Sequence, residues 1–382
     1  MKMELAAAVT FGLEAVARRE IEGLGYKALK TEDGRVTFEG DIRAAVRANL
    51  WLRTADRVQI VLGDVRAVEF EDIYQTMRGI SWEEWIPMEG NFTVNAVSVK
   101  SRLSSVPAIQ KVAERALIDR LRDFYPIERF PKTGADFDVK VSIHKDRAVI
   151  TLDTTGPGLN KRGYRRLIGK APLKETLAAA MVELSFWNPE RVLADPCCGS
   201  GTIPIEAAMI AQNIAPGLSR SFALESWDSV DKSIIKEERA RCYRQMTPRE
   251  DLRIFGSDID KEAVKIAREN ASEAGVGESI FFEVKDVADF RTAEPSGIMI
   301  SNPPYGERIG DEQTIGRIYD AWRGFFAEKP GWSLFCLTSD KTVEDRVFGR
   351  PADRRRKLYN GRMEVCYYQF HGEKPKREAL EK

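Results

Sequence analysis

The chain opens on an apolar run, Glu4-Leu-Ala-Ala-Ala-Val-Thr, that predicts a strand. Leu13, Val16, Ala17, Glu20 and Ile21 follow at helical spacing before Gly23 and Gly25 end the period. Residues 34–40 alternate like a half-buried strand and 42–52 return to a helical period, so the first 55 residues read as a small α+β module. From residue 56 the pattern renews itself. Strands are predicted at 58–62, 91–99, 137–143 and 147–153 and helices at 71–78 and Val106–Phe124, the latter with Ile109, Val112, Ala113, Ala116, Leu117 and Leu121 on one face. This is a second α+β region, ending near Thr155. The stretch after it, Thr154-Thr-Gly-Pro-Gly-Leu-Asn, is turn-rich and marks a linker over 156–170.

Residues 171–382 carry a different rhythm. Short apolar runs at 191–195, 252–258, 279–284, 297–301 and 333–338 are separated by helical patterns such as 261–274. Strands buried on both faces look like this, and the repetition predicts a doubly wound, mostly parallel α/β sheet with its ligand at the C-terminal strand ends.

Composition narrows the function. With 59 Lys+Arg against 59 Asp+Glu over 382 residues, bulk positive charge is excluded as a way of holding nucleic acid, so any charge effect is local. Two local excesses stand out. Lys161, Arg162, Arg165, Arg166, Lys170 and Lys174 occur without an acidic residue before Glu175, and 341–362 holds eight basic residues, Arg354, Arg355 and Arg356 among them, against Glu344, Asp345 and Asp353. Either is a solvated loop or a surface for phosphate, and Lys161, Arg162, Arg165, Arg166, Arg354, Arg355 and Arg356 are the candidate phosphate contacts. Five Cys with no CxxC pair form no disulfide framework, and His144 and His371 alone make a metal site or a His-dependent triad implausible. No apolar stretch suits a signal peptide or a membrane span, so the expected setting is the cytoplasm.

The chemistry lies at the strand ends. The first strand of the third region runs into Asp195-Pro-Cys-Cys-Gly-Ser-Gly-Thr. Gly199 and Gly201 allow a tight turn and a close ligand, but no Lys follows as in a phosphate-binding loop, and Ile203-Pro204-Ile205 stands where a dinucleotide fold has its third glycine. A carboxylate at Asp195 suits a cationic, amine-bearing ligand, and S-adenosylmethionine meets that description. Asp258, at the end of the second strand, can accept both ribose hydroxyls, while Asp260 reads as the cap of the next helix. Asp286, after the third, can accept the adenine amine. Cys198, Thr202, Ile259 and Val287 are their neighbours in the expected cofactor site. The fourth strand ends in Ser301-Asn-Pro-Pro-Tyr. The Asn302 side-chain oxygen and the Pro303 carbonyl can hold both hydrogens of an exocyclic base amine, Pro304 stiffens the turn, and Tyr305 offers a stacking surface for a base taken out of its helix.

These residues resemble the class I S-adenosylmethionine-dependent amino-methyltransferases. Three further stretches give a narrower resemblance: Gly156-Pro-Gly-Leu-Asn-Lys-Arg-Gly-Tyr-Arg, Ala171-Pro-Leu-Lys-Glu-Thr-Leu-Ala-Ala-Ala and Asn213-Ile-Ala-Pro-Gly-Leu-Ser-Arg-Ser-Phe-Ala. They are similar to the bacterial THUMP-domain RNA methyltransferases related to the N-terminal half of the 23S rRNA guanine-N2 methyltransferase. The resemblance implies a ferredoxin-like region at 1–55, a THUMP RNA-binding domain at 56–155 and a Rossmann-like methyltransferase domain from 171. It also implies that Lys174, Glu175 and Thr176 lie near the cofactor's methionine end. The expected activity is methylation of guanine N2 in RNA, 23S rRNA first, with the basic residues of the two local excesses as RNA contacts, so that reversing the charges at Arg165 and Arg166 is expected to weaken RNA binding and spare cofactor affinity. tRNA guanine, adenine N6 in a nucleic acid, or an inactive RNA-binding assembly factor remain as other readings.

Overall fold

The computed structural model describes residues 2–165, 173–305, 312–361 and 363–373. They divide into two compact units, one holding the chain up to Val9, Ala17–Leu159 and Arg220–Arg241, the other Thr10–Val16, Asn160–Ser219 and the chain from Cys242 on.

In the first unit β1 (Met3–Val9) is rich in Leu, Ala and Val because it runs through the middle of a sheet. Its neighbours are β3 (Arg35–Gly40), which also pairs with β2 (Ala28–Glu32), and β4 (Ala55–Arg66). The helices α1 (Glu14–Gly23) and α2 (Ile42–Trp51) fall where the sequence period places them. β4 is long enough to serve two partners: its first half pairs with β1, and from Gln59 on, across a register shift between Val61 and Gly63, it pairs on its other side with β7 (Arg147–Asp153). The sheet then runs on through β6 (Asp136–His144) to β5 (Asn91–Val99), giving the order β2-β3-β1-β4-β7-β6-β5. Only β5 and β6 are parallel, and α4 (Val106–Phe124) is the crossover such a pair requires. α3 (Phe70–Gly79) follows β4.

Residues 220–241 complete this unit. Trp227 is fully buried, stacks on Phe137 with ring centroids 5.1 Å apart and donates through Nε1 to the Asp136 carbonyl at 3.0 Å. α7 (Lys232–Gln245) places Glu238, 2% exposed, between Arg47, which grips it through Nε and Nη2 at 2.8 Å each, and Arg43 at 3.0 Å.

The second unit is the predicted doubly wound sheet. Its strands are β8 (Leu193–Asp195), β9 (Ile254–Asp258), β10 (Phe281–Val284), β11 (Ser296–Ser301), β12 (Gly331–Thr338), β13 (Arg354–Asn360) and β14 (Met363–Phe370). The order is β10-β9-β8-β11-β12-β14-β13, in which the first five strands are parallel and β14 runs antiparallel to both of its neighbours, β12 and β13. Alternate residues serve opposite cores. Leu193, Ile298, Ile300 and Phe335 pack with α5 (Glu175–Leu184), α6 (Thr202–Ala211) and α8 (Lys261–Glu273), while Ala194, Met299, Leu334 and Cys336 pack with α9 (Glu312–Glu328). The strand order reverses between β8 and β11, and at that point a crevice opens beyond the strand ends. Among the described residues no helix is long and apolar enough to cross a membrane.

Candidate active site

β8 delivers Asp195 to the floor of this crevice, where it is 2% exposed. Its Oδ1 accepts from the Ser301 hydroxyl at 2.8 Å and from the Cys197 N–H at 3.2 Å. Burial pushes the Asp195 carboxyl up to about 7 and the nearby Asp258 carboxylate adds to the rise, against the pull of those two hydrogen bonds.

Two glycines shape the loop that follows. Gly201, at φ 80°, starts α6, and a Cβ there would stand 2.9 Å from the Ala267 Cβ and 3.0 Å from the Phe282 ring, so only glycine lets the helix seat so closely. Gly199, at φ 52°, donates its N–H to Asp258 Oδ2 at 2.9 Å, and nothing lies within 4 Å of where its Cβ would stand. Asp258 Oδ1 accepts from the Asp260 N–H at 3.0 Å, while Asp260 caps α8 by accepting from the Glu262 N–H at 2.9 Å. Asp286 accepts from the Ala288 N–H at 2.9 Å and from Arg317 Nη2 at 2.7 Å. All five cysteines are free thiols, and burial pushes Cys197 and Cys198 well above the ordinary thiol range, as suits packing residues.

The loop after β11 closes the far wall. Asn302 Oδ1 is buried and has no hydrogen-bond partner among the described residues. Tyr305 is 3% exposed, and its hydroxyl accepts from Asn360 Nδ2 at 3.0 Å, so the end of β13 holds this ring.

The described residues enclose a cavity of about 670 Å³ that brings together Asp195, Cys198, Gly199, Thr202, Asp258, Ile259, Asp286, Val287, Asn302, Pro303, Pro304 and Tyr305. Gly201 supports the turn without lining the cavity. Thr176 is buried at the start of α5 and is not among the described residues that line the cavity, whereas Leu173 from the same segment is. Sequence reasoning missed Thr314, Arg317 and Ile318, which α9 brings to the wall. They belong to no strand-end motif, and only the packing of α9 against the sheet reveals them.

The first basic excess does not form a phosphate surface at two of its members. Arg162 is buried against Glu206, Nε to Oε1 3.3 Å, with Tyr164 also donating to that carboxylate. Arg165 is half-buried, paired with Glu175 at 3.3 Å and donating to Thr202 Oγ1 and the Leu173 carbonyl. Both charges are spent inside the unit, and because Thr202 and Leu173 line the cavity, Arg165 supports the cavity wall and offers no free phosphate contact. Lys161 is exposed, and Arg166 lies outside the described residues. In the second excess Arg354 is exposed, Arg355 is engaged by Glu344 at 2.6 and 2.7 Å, and Arg356 donates to the Gly12 carbonyl at 2.9 Å. Among the described residues no group of three or more His, Cys, Asp or Glu could hold a metal ion.

Known proteins extend these observations. YpsC of Bacillus subtilis (strain 168), by name a candidate RNA methyltransferase, is 43% identical over 100% of this chain and 99% of its own. A structure from Listeria monocytogenes str. 4b F2365, described as a predicted N6-adenine-specific DNA methylase, superposes with a TM-score of 0.91 at 43% identity over 98% of this chain and 97% of that one. A third, SMU.472, a candidate methyltransferase complexed with SAH, gives 0.90 at 41% identity over 98% and 99%. Residues 4–59 match the RlmL ferredoxin-like domain and 67–153 the THUMP domain, so the expected order of ferredoxin-like, THUMP and Rossmann-like regions holds. With residues 162–369 matching the RMKL-like methyltransferase domain, the chain belongs to that methyltransferase family.

Proposed function

We propose that the protein transfers a methyl group from S-adenosylmethionine to the N2 amine of a guanine in RNA, with 23S rRNA the favoured substrate. The observation that carries this reading is Asn302 Oδ1, a buried acceptor without a partner among the described residues, on the wall of a cavity sized for a nucleoside cofactor and a base.

The residues present fit the cofactor. The unfilled side of Gly199 leaves room for a ligand against the backbone, Asp258 keeps a lone pair on each oxygen for ribose hydroxyls, and Asp286 keeps acceptor capacity for the adenine amine. Ile259 and Val287 supply apolar contact for the adenine faces, and Asp195 faces the positively charged end. When bound, S-adenosylmethionine supplies a methyl group on a sulfonium. The rest is the work of the chain. A base amine is a poor nucleophile because its lone pair is delocalised into the ring. Accepting both amine hydrogens, at Asn302 Oδ1 and the Pro303 carbonyl, localises that pair and aims it into the cavity. Tyr305, fixed by Asn360, gives the base a flat wall. The N–CH3 bond would form as the S–CH3 bond breaks to leave a neutral thioether, and no base of tuned pKa is needed, because the nitrogen becomes acidic as it is alkylated and gives up its proton to water.

Asn302→Ala, assayed with radiolabelled cofactor on total RNA from a bacterial strain lacking the gene, should lower kcat by about a hundredfold, the usual cost of losing one positioned polar group, with cofactor affinity retained. Undiminished transfer would remove Asn302 from the mechanism. The same pair of acceptors would hold adenine N6, the target named for the Listeria protein. Mass spectrometry of nucleosides from the deletion strain separates the two, guanine being favoured by loss of N2-methylguanosine.

A further inference from the structure

Phe11 is 46% exposed although it is a large apolar side chain, and it belongs to the short segment Thr10–Val16 that packs with the second unit. Lone exposed aromatics are ordinary on protein surfaces, but this one is built into something. Its ring meets that of Tyr359 edge-on, with centroids 5.9 Å apart. The segment is pinned along the edge of β13 by Arg356, whose Nη1 donates to the Gly12 carbonyl at 2.9 Å, and by Leu13 and Val16, which enter the core. β13 is the last strand of its sheet, so the pair sits on the edge.

Two features point from this pair to a ligand. The first is position: Tyr359 stands with Asn360 at the C-terminal end of β13, the end of the sheet at which the cavity opens, and although alternation turns the two side chains to opposite faces, Asn360 ties that strand end to the cavity wall through the Tyr305 hydroxyl. The second is charge. Because side chains alternate along a strand, Arg355 and Lys357 share the face of Tyr359. Each is partly neutralised, Arg355 by Glu344 and Lys357 by Glu364 at 2.5 Å, and Glu14 lies at the other side of the Phe11 loop with its carboxylate on the Gly12 N–H. Donors remain all the same. Glu344 takes only Nε and Nη2 of the guanidinium, and Lys357, 52% exposed, keeps ammonium hydrogens beyond the one on Glu364 while its Nζ lies 5.6 Å from the centroid of the Tyr359 ring, which leaves Phe11 as the more open of the two aromatic faces. Aromatic faces beside exposed cations suit unpaired nucleotides, whose bases stack while their phosphates meet the charges.

We propose that Phe11 and Tyr359 form a stacking platform for an unpaired nucleotide flanking the target base in the RNA substrate, with Arg355 and Lys357 meeting the adjoining phosphates. This rests on the RNA methyltransferase reading. The platform holds the strand beside the target base, so its contribution falls on substrate binding and leaves the chemical step alone.

The test measures KM and kcat separately on total RNA from a strain lacking the gene, beginning with the wild type. Phe11→Ala should raise KM for RNA by about tenfold, a typical effect for one stacked base, with kcat and cofactor affinity near wild type. Phe11→Leu keeps apolar bulk and loses the aromatic face, so it should resemble Phe11→Ala, whereas Phe11→Trp should restore KM. Photocrosslinking with 4-thiouridine-labelled RNA should place adducts on Phe11 or Tyr359. A wild-type KM in Phe11→Ala on RNA that the wild type methylates, or full rescue by Phe11→Leu, overturns the platform and leaves the methyltransferase reading standing. A wild type that methylates no RNA overturns both.

Discussion

Asp195 shows how one buried group carries a pH dependence. Its carboxyl ionises near 7 in the folded protein against 3.8 for an ordinary aspartate, with burial as the main cause. Between roughly pH 4 and pH 7 the folded chain therefore binds a proton that the unfolded chain has released, so stability falls as pH rises through that window and is lowest above it. A positively charged ligand reverses the preference, because it binds best to the ionised carboxylate. Cofactor affinity should accordingly strengthen by nearly tenfold between about pH 6 and pH 7.5, measured calorimetrically. Asp195→Asn should bind more weakly with a flat pH profile, and should gain thermal stability relative to wild type at alkaline pH. A pH-dependent Asn variant would assign the titration to another group.

At the scale of elements, the parallel strands were legible and two of the edge strands were not. Runs such as Ile298-Met-Ile are apolar throughout because both faces are covered, and such strands deliver their C-terminal residues to one crevice, which is why Asp195, Asp258, Asp286 and Asn302 could be grouped from sequence. β2 and β13 each close one edge of their sheet, where charged side chains guard against stray pairing, so Ala-Leu-Lys-Thr-Glu and Arg-Arg-Arg-Lys-Leu-Tyr-Asn carry little strand signal. The basic run at Arg354 is thus a strand in the fold. The seam at Arg162 misled for another reason: its neutralising partner Glu206 lies 44 residues away in sequence, and linear charge counting cannot see it. β13 also has a part in the site. Asn360→Ala removes the bond to Tyr305 and should lower kcat about fivefold, the worth of one net hydrogen bond, with cofactor affinity unchanged. A reduced melting temperature at wild-type kcat would confine Asn360 to stability.

For the whole molecule, the consequential fact is that sequence order and compact units do not coincide. Residues 220–241 lie inside the stretch matched by the methyltransferase domain, yet they pack in the unit built around the ferredoxin-like and THUMP regions. That unit cannot be completed from residues 1–159 alone: Trp227 fills a site against Phe137 and Trp85, and Glu238 satisfies Arg43 and Arg47. Emptying the Trp227 site should cost about 3–5 kcal/mol, because a fully buried indole is lost together with its hydrogen bond to the Asp136 carbonyl. In a unit of this size that corresponds to a fall of roughly 10 °C in its melting temperature. The cavity lies wholly in the other unit, so Trp227→Ala in the full chain should leave cofactor affinity within about twofold of wild type. Calorimetry with and without cofactor reads both quantities in one sample: the ligand should raise the transition of the methyltransferase unit, while the substitution lowers the other. A Trp227→Ala protein whose transitions are unmoved would mean that 220–241 adds nothing to the first unit, and one that lost cofactor binding in step with stability would mean that the two units unfold as one.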